Sequence, residues 1–150
     1  MSVPKSVVKI NNDGVQYVSS CDRVQYTIKE LTRAALRDVG KFVCRQFRQS
    51  YYTHFRKKKG RVGKYTQYWV RHKQDKPDLQ VGVKANGFYG LFQETGSRKT
   101  PKLALLLHSV TDNVAKIVQI ESKYLSALED EAKALSLINE DEYEGGADGE

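Results

Sequence analysis

One long helix constrains the fold of this sequence more than any other feature. Between residues 22 and 55, apolar side chains recur at steps of three and four residues, the spacing of a single buried helix face. They are Ile28, Leu31, Ala35, Val39, Phe42, Cys44 and Phe47. Cationic side chains occupy the other side. Gly40 lies inside the pattern and indicates a close backbone approach or a bend.

The segments around this helix predict short strands. Val7, Val8 and Ile10 precede the turn sequence Asn11–Gly14, and β-branched residues follow it, which indicates a hairpin. Residues 66–73 and 79–84 predict two antiparallel strands, and 88–93 a third strand or extended arm. Residues 56–65 hold two glycines and six cations and predict a loop.

The C-terminal part predicts further helix. Pro101 precedes an apolar segment and is expected at the first position of a short helix. From residue 111, helical spacing continues to about 138. We therefore expect an α+β fold, with a long N-terminal helix and a C-terminal helix packed on a small antiparallel sheet. Residues 1–138 are predicted to be one domain, and 139–150 an acidic flexible tail.

Charge is divided unevenly along the chain. Residues 1–120 contain 23 Lys/Arg and 8 Asp/Glu, whereas residues 121–150 contain 2 Lys/Arg and 10 Asp/Glu. The net charges are +15 and −8. A basic body with an acidic end favours contact with a polyanion, or with the acidic part of a neighbouring copy.

The densest cationic cluster lies in the predicted loop. Its members are Arg56, Lys57, Lys58, Lys59, Arg61 and Lys64. Three interpretations stay open: a solvated loop, a docking site for an acidic protein surface, and phosphate contact with nucleic acid supported by nearby aromatic residues. No sequence-reading nucleic-acid motif accompanies the cluster.

Catalytic and metal-binding patterns are missing from the sequence. His54, His72 and His108 fall in three different predicted elements without metal-ligand spacing, and His108 is expected in a core or interface. No nucleophile elbow, phosphate loop or dinucleotide motif is present. We therefore expect no enzyme activity, no cofactor and no metal. Cys21 and Cys44 are expected to be buried free thiols, and no apolar run is long enough to span a membrane.

Residues 88–107, FYGLFQETGSRKTPKLALLL, form the most distinctive segment. Gly96 permits a positive-φ turn, and Glu94 faces a loop with Arg98, Lys99 and Lys102 that it is placed to pin. An ordinary strand-to-helix connection is the simpler interpretation. The interface candidates in this segment are Glu94, Gly96, Arg98, Lys99 and Pro101.

This segment resembles the phage neck and tail-completion proteins of long-tailed siphophages, a family also described as head-tail joining or minor tail protein Z-like. Residues 88–97 resemble its Tyr-Ala-x-x-x-Glu-x-Gly-Thr-like motif, and residues 99–103 resemble its proline entry to the last helix. Val81–Val83 resembles the preceding strand, and Cys21–Phe55 the first helix. The acidic tail and the longer final helix depart from the family pattern.

The resemblance implies a virion structural protein, assembled in the host cytoplasm, that forms a ring of six or twelve copies in the neck. Its expected partners are a head connector or portal-side protein and a tail-tube or tail-terminator protein. The basic loop would then dock a neighbouring ring or contact DNA non-specifically in the lumen. We favour docking, because DNA has to pass through a lumen. The alternative is a basic nucleic-acid-binding module unrelated to phage assembly.

Overall fold

The computed structural model describes residues 8–56, 61–71 and 76–144. It confirms the α+β class, with a long N-terminal helix and short antiparallel strands within a mostly helical chain. The predicted strand residues 72 and 73, the turn residues 74 and 75, and the cations Lys57–Lys59 lie outside the described residues.

The first strands form the predicted hairpin. β1 (Val8–Asn12) pairs antiparallel with β2 (Val15–Ser19), and Asn12 lies opposite Val15. The two connecting residues, Asp13 and Gly14, have φ values of 50° and 83°. Two positive φ values in a two-residue loop define a type I′ turn, whose twist suits antiparallel strands. The turn therefore occupies the second half of the predicted Asn11–Gly14 sequence.

Helix α1 (Cys21–His54) confirms the long helix. Its buried face includes most of the predicted stripe and extends it toward the C-terminal end. The buried members are Leu31, Ala34, Ala35, Val39, Val43, Cys44, Phe47 and Tyr51. Ile28 was predicted to belong to this face, but its side chain is 44% exposed. The prediction that both cysteines are buried is wrong for Cys21, which lies exposed at the first residue of the helix.

A second antiparallel hairpin packs against α1. β3 (Thr66–Arg71) pairs with β4 (Asp78–Val83), confirming both predicted strands. A Cβ atom placed on Gly40 would lie 2.6 Å from Cδ2 of Tyr68. The Tyr68 ring therefore rests on the helix backbone, so Gly40 marks a close approach.

The core beside this hairpin joins several short elements to α1. Phe47, Tyr51 and Val62 form its buried centre. Partly buried apolar residues pack around them, namely Tyr52, Phe55, Val83, Leu105 and Leu106. Val62 belongs to α2 (Arg61–Lys64), a single helical turn inside the segment that was predicted to be only a loop. Burial of Val62 in this core offsets the poor helix propensity of Gly63 and the low stability of a single helical turn.

The C-terminal helices differ from the prediction in two places. α4 (Leu105–Thr111) begins four residues after Pro101, which is exposed and outside the helix. The helix predicted to run to about residue 138 is interrupted. α5 (Val114–Ser126) leads into a 3₁₀ turn (Ala127–Glu129), and α6 (Glu131–Glu144) follows. Asp130 caps α6, because its Oδ1 accepts a hydrogen bond from the Ala132 N–H at 3.0 Å.

The described chain divides into two compact units. One combines the residues up to Ala34 with those from Tyr124 onward, and the other is Ala35–Lys123. The second unit contains the β3–β4 hairpin and the Phe47 core. α6 in the first unit extends to Glu144, so its last turns include part of the acidic segment that begins at residue 139.

Candidate assembly interface

Residues 88–93, predicted to be a strand or extended arm, are instead mainly helical. A 3₁₀ turn (Ala85–Gly87) leads into helix α3 (Tyr89–Thr95). The prediction was wrong because two glycines allow this segment to lie against the core. A Cβ on Gly87 would lie 2.4 Å from Cγ1 of Val83, and one on Gly90 would lie 2.9 Å from Cγ1 of Val62.

With the glycines facing inward, the large side chains of this segment face outward. Phe88, Tyr89, Leu91 and Phe92 are 52%, 49%, 62% and 47% exposed. We call these four residues the aromatic patch. The Phe88 ring centroid lies 4.0 Å from that of Tyr89 and 6.3 Å from that of Phe92. The exposed rings therefore cluster on one short helix whose backbone is fixed against the core.

The segment from residue 96 to residue 104, called the 96–104 loop below, is held by backbone hydrogen bonds. The Leu103 N–H donates to the Gln93 carbonyl at 2.9 Å. Ser97 and Thr100 exchange two backbone hydrogen bonds, at 2.8 and 3.2 Å. Gly96 has a φ of 82°, as its sequence position predicted, and a Cβ there would lie 3.2 Å from the Lys102 backbone nitrogen. Glycine therefore fits both the turn and its close neighbour.

Glu94 fixes the far end of the loop, by a different contact from the predicted one. The sequence placed Glu94 opposite the loop cations. In the structure its carboxylate instead accepts hydrogen bonds from the backbone N–H groups of Leu106 and Leu107. These N–H groups belong to the first turn of α4, where backbone donors lack partners within the helix. Ala104, just before them, has a left-handed φ of 49°.

The cations of this loop remain on the surface. Arg98, Lys99 and Lys102 are exposed, and no residue in the described part of the chain pairs with them. Glu94 is the only carboxylate in the sequence between residues 84 and 111, and its oxygens are occupied by α4. The aromatic patch therefore borders a loop with an uncompensated positive charge.

Of the cationic cluster at Arg56–Lys64, the described residues include Arg56, Arg61 and Lys64. Arg56 is exposed with a φ of 50°, Arg61 begins α2, and Lys64 is exposed with its Nζ 5.8 Å from the Tyr65 ring centroid. Arg48 braces this region from α1. Its Nε donates to the Gly63 carbonyl at 3.0 Å, and its Nη2 donates to the Thr66 carbonyl at 2.8 Å.

Sequence reasoning missed that several apolar residues of α4 and α5 are exposed. Leu107 and Val110 on α4 are 55% and 38% exposed, and Val114 and Val118 on α5 are 53% and 51% exposed. They follow one another at steps of three and four residues, the same spacing that was taken as a sign of a buried face. Spacing alone does not distinguish a face buried within the chain from one available to a partner.

The two described histidines lie on different helices, His54 on α1 and His108 on α4. His54 is exposed, and His72 lies outside the described residues. His108 is exposed on α4, so it is not a core residue, and its expected place in an interface stays a prediction. Its Nδ1 lies 3.9 Å from Oδ1 of Asp112. Among the described residues, no three His, Cys, Asp or Glu side chains group in a way that would hold a metal ion. No described helix is both long and apolar enough to cross a bilayer.

No family model, curated protein or solved structure matches this chain.

Proposed function

We propose that this chain is a structural virion protein, a ring-forming subunit of the phage neck that completes the tail or joins head to tail. The observation that supports the proposal is the aromatic patch. Four large apolar side chains, each about half exposed, lie on α3 and the residue before it, where Gly87 of the 3₁₀ turn and Gly90 of the helix contact the core. The same residues resemble the motif of the neck and tail-completion proteins.

The aromatic patch is held rigidly and is costly to leave in water. Each large apolar side chain gains about 1.5–3 kcal/mol when it is fully removed from water, so leaving four of them together on a surface is costly unless a partner covers them. Aromatic residues on a fixed backbone lose little conformational freedom on binding and are common at the centres of interfaces. The patch has the chemistry of a protein contact.

The proposed role involves no catalysis and no cofactor. The partners are further copies of this chain in a ring, a connector or portal-side protein on the head side, and a tail-tube or tail-terminator protein on the tail side. The mature location is the neck of the virion. The basic cluster at Arg56–Lys64 then serves docking to a neighbouring ring.

The proposal is tested with a pair of full-length variants. Leu91→Glu combined with Phe92→Glu places charge in the aromatic patch, and Val24→Glu places charge at a side chain that is similarly exposed, at 52%, on α1. We expect the wild-type chain and the control to form discrete rings, alone or when co-expressed with the head and tail proteins encoded beside it. The patch variant should lose the rings while keeping its helical circular dichroism.

Negative-stain images and mass photometry read out this experiment. A gene neighbourhood without portal, capsid or tail genes would overturn the proposal. So would rings that form equally well with the patch variant. Salt-dependent DNA binding whose slope falls on Lys57→Ala, Lys58→Ala and Lys59→Ala, without any ring, would instead favour the nucleic-acid-binding alternative.

A further inference from the structure

The chain contains an acidic segment that complements the surface around α3. Residues 139–150 hold six carboxylates, no cation and one aromatic side chain, Tyr143. The 96–104 loop presents Arg98, Lys99 and Lys102 beside the aromatic patch. Because Glu94 is occupied by α4, no carboxylate of the loop neutralises these cations.

We propose that the aromatic patch and the 96–104 loop together bind the acidic C-terminal segment, residues 139–150, of a second copy of this chain. The inference rests on the proposed function only in taking another copy as the neighbour. Each copy then donates one acidic segment and receives one. Such a head-to-tail contact uses two different surfaces and closes into a ring when the rotation between copies permits.

Magnitudes favour this surface over the basic cluster at Arg56–Lys64. An exposed ion pair contributes little binding energy because water and salt screen it, so charge alone would hold an acidic segment weakly. The surface around α3 adds exposed rings beside its cations. An aromatic pair such as Tyr143 with Phe88 or Phe92 adds binding energy beyond that of the apolar area that it buries. Charge gives the segment its orientation, and the rings supply most of the affinity.

Cross-linking between copies tests the contact directly. Full-length chains grown in ¹⁴N and ¹⁵N medium are mixed at high concentration and treated with a carbodiimide, which joins a lysine amine to a carboxylate with no spacer. We expect mixed heavy–light peptides that link Lys99 or Lys102 to carboxylates of residues 139–150. Links confined to one isotope mean that the segment folds onto its own chain. Links mainly to Lys57–Lys59 or Lys64, or none at all, also overturn the inference.

A charge exchange provides a second readout. One variant carries Arg98→Glu, Lys99→Glu and Lys102→Glu, and the other carries Glu140→Lys, Asp141→Lys, Glu142→Lys and Glu144→Lys. Each variant alone has like charges on both surfaces and should lose association in analytical ultracentrifugation. Their mixture restores opposite charges at every contact and should associate. The matched control, Arg45→Glu with Lys76→Glu and Lys116→Glu, changes charge by the same amount at exposed residues away from the loop and the basic cluster, and should associate as the wild type does.

The outcomes separate this inference from the proposed function. Rings that persist in both charge variants alone overturn the contact while leaving a ring-forming neck protein. Mixed-isotope links in a chain that binds neither head nor tail proteins support the contact and overturn the neck role. If one charge variant does not fold, as judged by circular dichroism, the wild-type cross-links decide.

Discussion

The carboxylate of Glu94 accepts a hydrogen bond from the backbone N–H of Leu106 with both of its oxygens, Oε1 at 2.7 Å and Oε2 at 3.0 Å. The Leu107 N–H also donates to Oε1, at 3.0 Å. One side chain thereby joins the end of α3 to the start of α4. Its negative charge also lies at the positive end of the α4 dipole.

Replacing Glu94 is expected to destabilise the fold measurably. Glu94→Ala removes both the acceptor and the charge, and we expect a loss of about 1–2 kcal/mol in the free energy of unfolding. Glu94→Gln keeps one acceptor oxygen and should lose about half as much. Denaturation in urea measures both values, with the exposed Glu129→Ala as the control. Equal stability of the Glu94→Ala and Glu129→Ala variants would contradict this role.

Gly40→Ala is predicted to destabilise the fold, although replacing glycine by alanine inside a helix normally stabilises it. Gly→Ala inside a helix gains about 1 kcal/mol in propensity. At Gly40 the new methyl group would lie 2.6 Å from the Tyr68 ring, and overpacking of this kind costs about 1–3 kcal/mol. We expect a net loss of stability in thermal unfolding.

Gly82→Ala is the control for this prediction. A Cβ there would meet only Trp69 Cζ3, at an ordinary contact distance of 3.6 Å. The variant should unfold near the wild-type temperature. A stabilised Gly40→Ala protein would show that the hairpin does not rest on α1 as described.

Arg48 is expected to stabilise the fold because its planar guanidinium group donates hydrogen bonds to two backbone carbonyls. Arg48→Ala deprives the carbonyls of Gly63 and Thr66 of their donor, at an expected cost of about 1–3 kcal/mol. Arg48→Lys keeps the charge but has no planar fork, so it should recover only part of the loss. Chemical denaturation of both variants, beside the exposed Arg45→Ala, checks the prediction. Full recovery by lysine would assign the effect to charge alone.

The two thiols should differ in reactivity. Cys21 is exposed and Cys44 is buried. In the folded protein we expect iodoacetamide to modify Cys21 rapidly and Cys44 only at the rate at which the structure opens. Peptide mass spectrometry over time measures both rates, and adding denaturant should make them similar. Rapid modification of Cys44 in the native protein would contradict its burial.

The buried thiol of Cys44 is expected to make the stability of the fold depend on pH. Burial raises the pKa of the Cys44 thiol, and the nearby Arg48 opposes this shift in part. Since the folded pKa lies above the unfolded one, the contribution of this thiol to stability is complete below the unfolded pKa. It is lost as pH rises toward the folded pKa. Cys44→Ala should flatten the alkaline fall in stability measured between neutral pH and about pH 10, and an unchanged fall would contradict the prediction.

The sequence predicted correctly those helices and strands whose neighbouring residues favour the same structure that they adopt in the fold. α1 has a continuous apolar stripe, and the β1–β2 hairpin has Asp-Gly at its turn, so both were recognisable from neighbouring residues. The helical state of α3 was not, because aromatic residues favour a strand on local grounds and an internal glycine weakens a helix. Its helix depends on the fit of Gly90 against Val83 and against Val62, which lies in α2, far away in sequence.

The start of α4 also depends on a residue outside its own local sequence. Pro101 is a good first residue for a helix, but the helix begins at Leu105 because Glu94 supplies its cap from eleven residues away. The glycines and cations of residues 88–107 are visible in the sequence and marked the segment as an interface candidate, which stays a prediction. Which side chains face outward became clear only when the glycines were placed against the core.

The 96–104 loop is held by backbone hydrogen bonds, whereas the surface that it presents is made by its side chains. The bonds that close it join backbone groups of Gln93 to Leu103 and of Ser97 to Thr100. Residues at the tip, Arg98 and Lys99, can therefore be exchanged without redirecting the chain. A loop of this kind allows a lineage to change binding preference by single substitutions, each tested by selection on an unchanged scaffold.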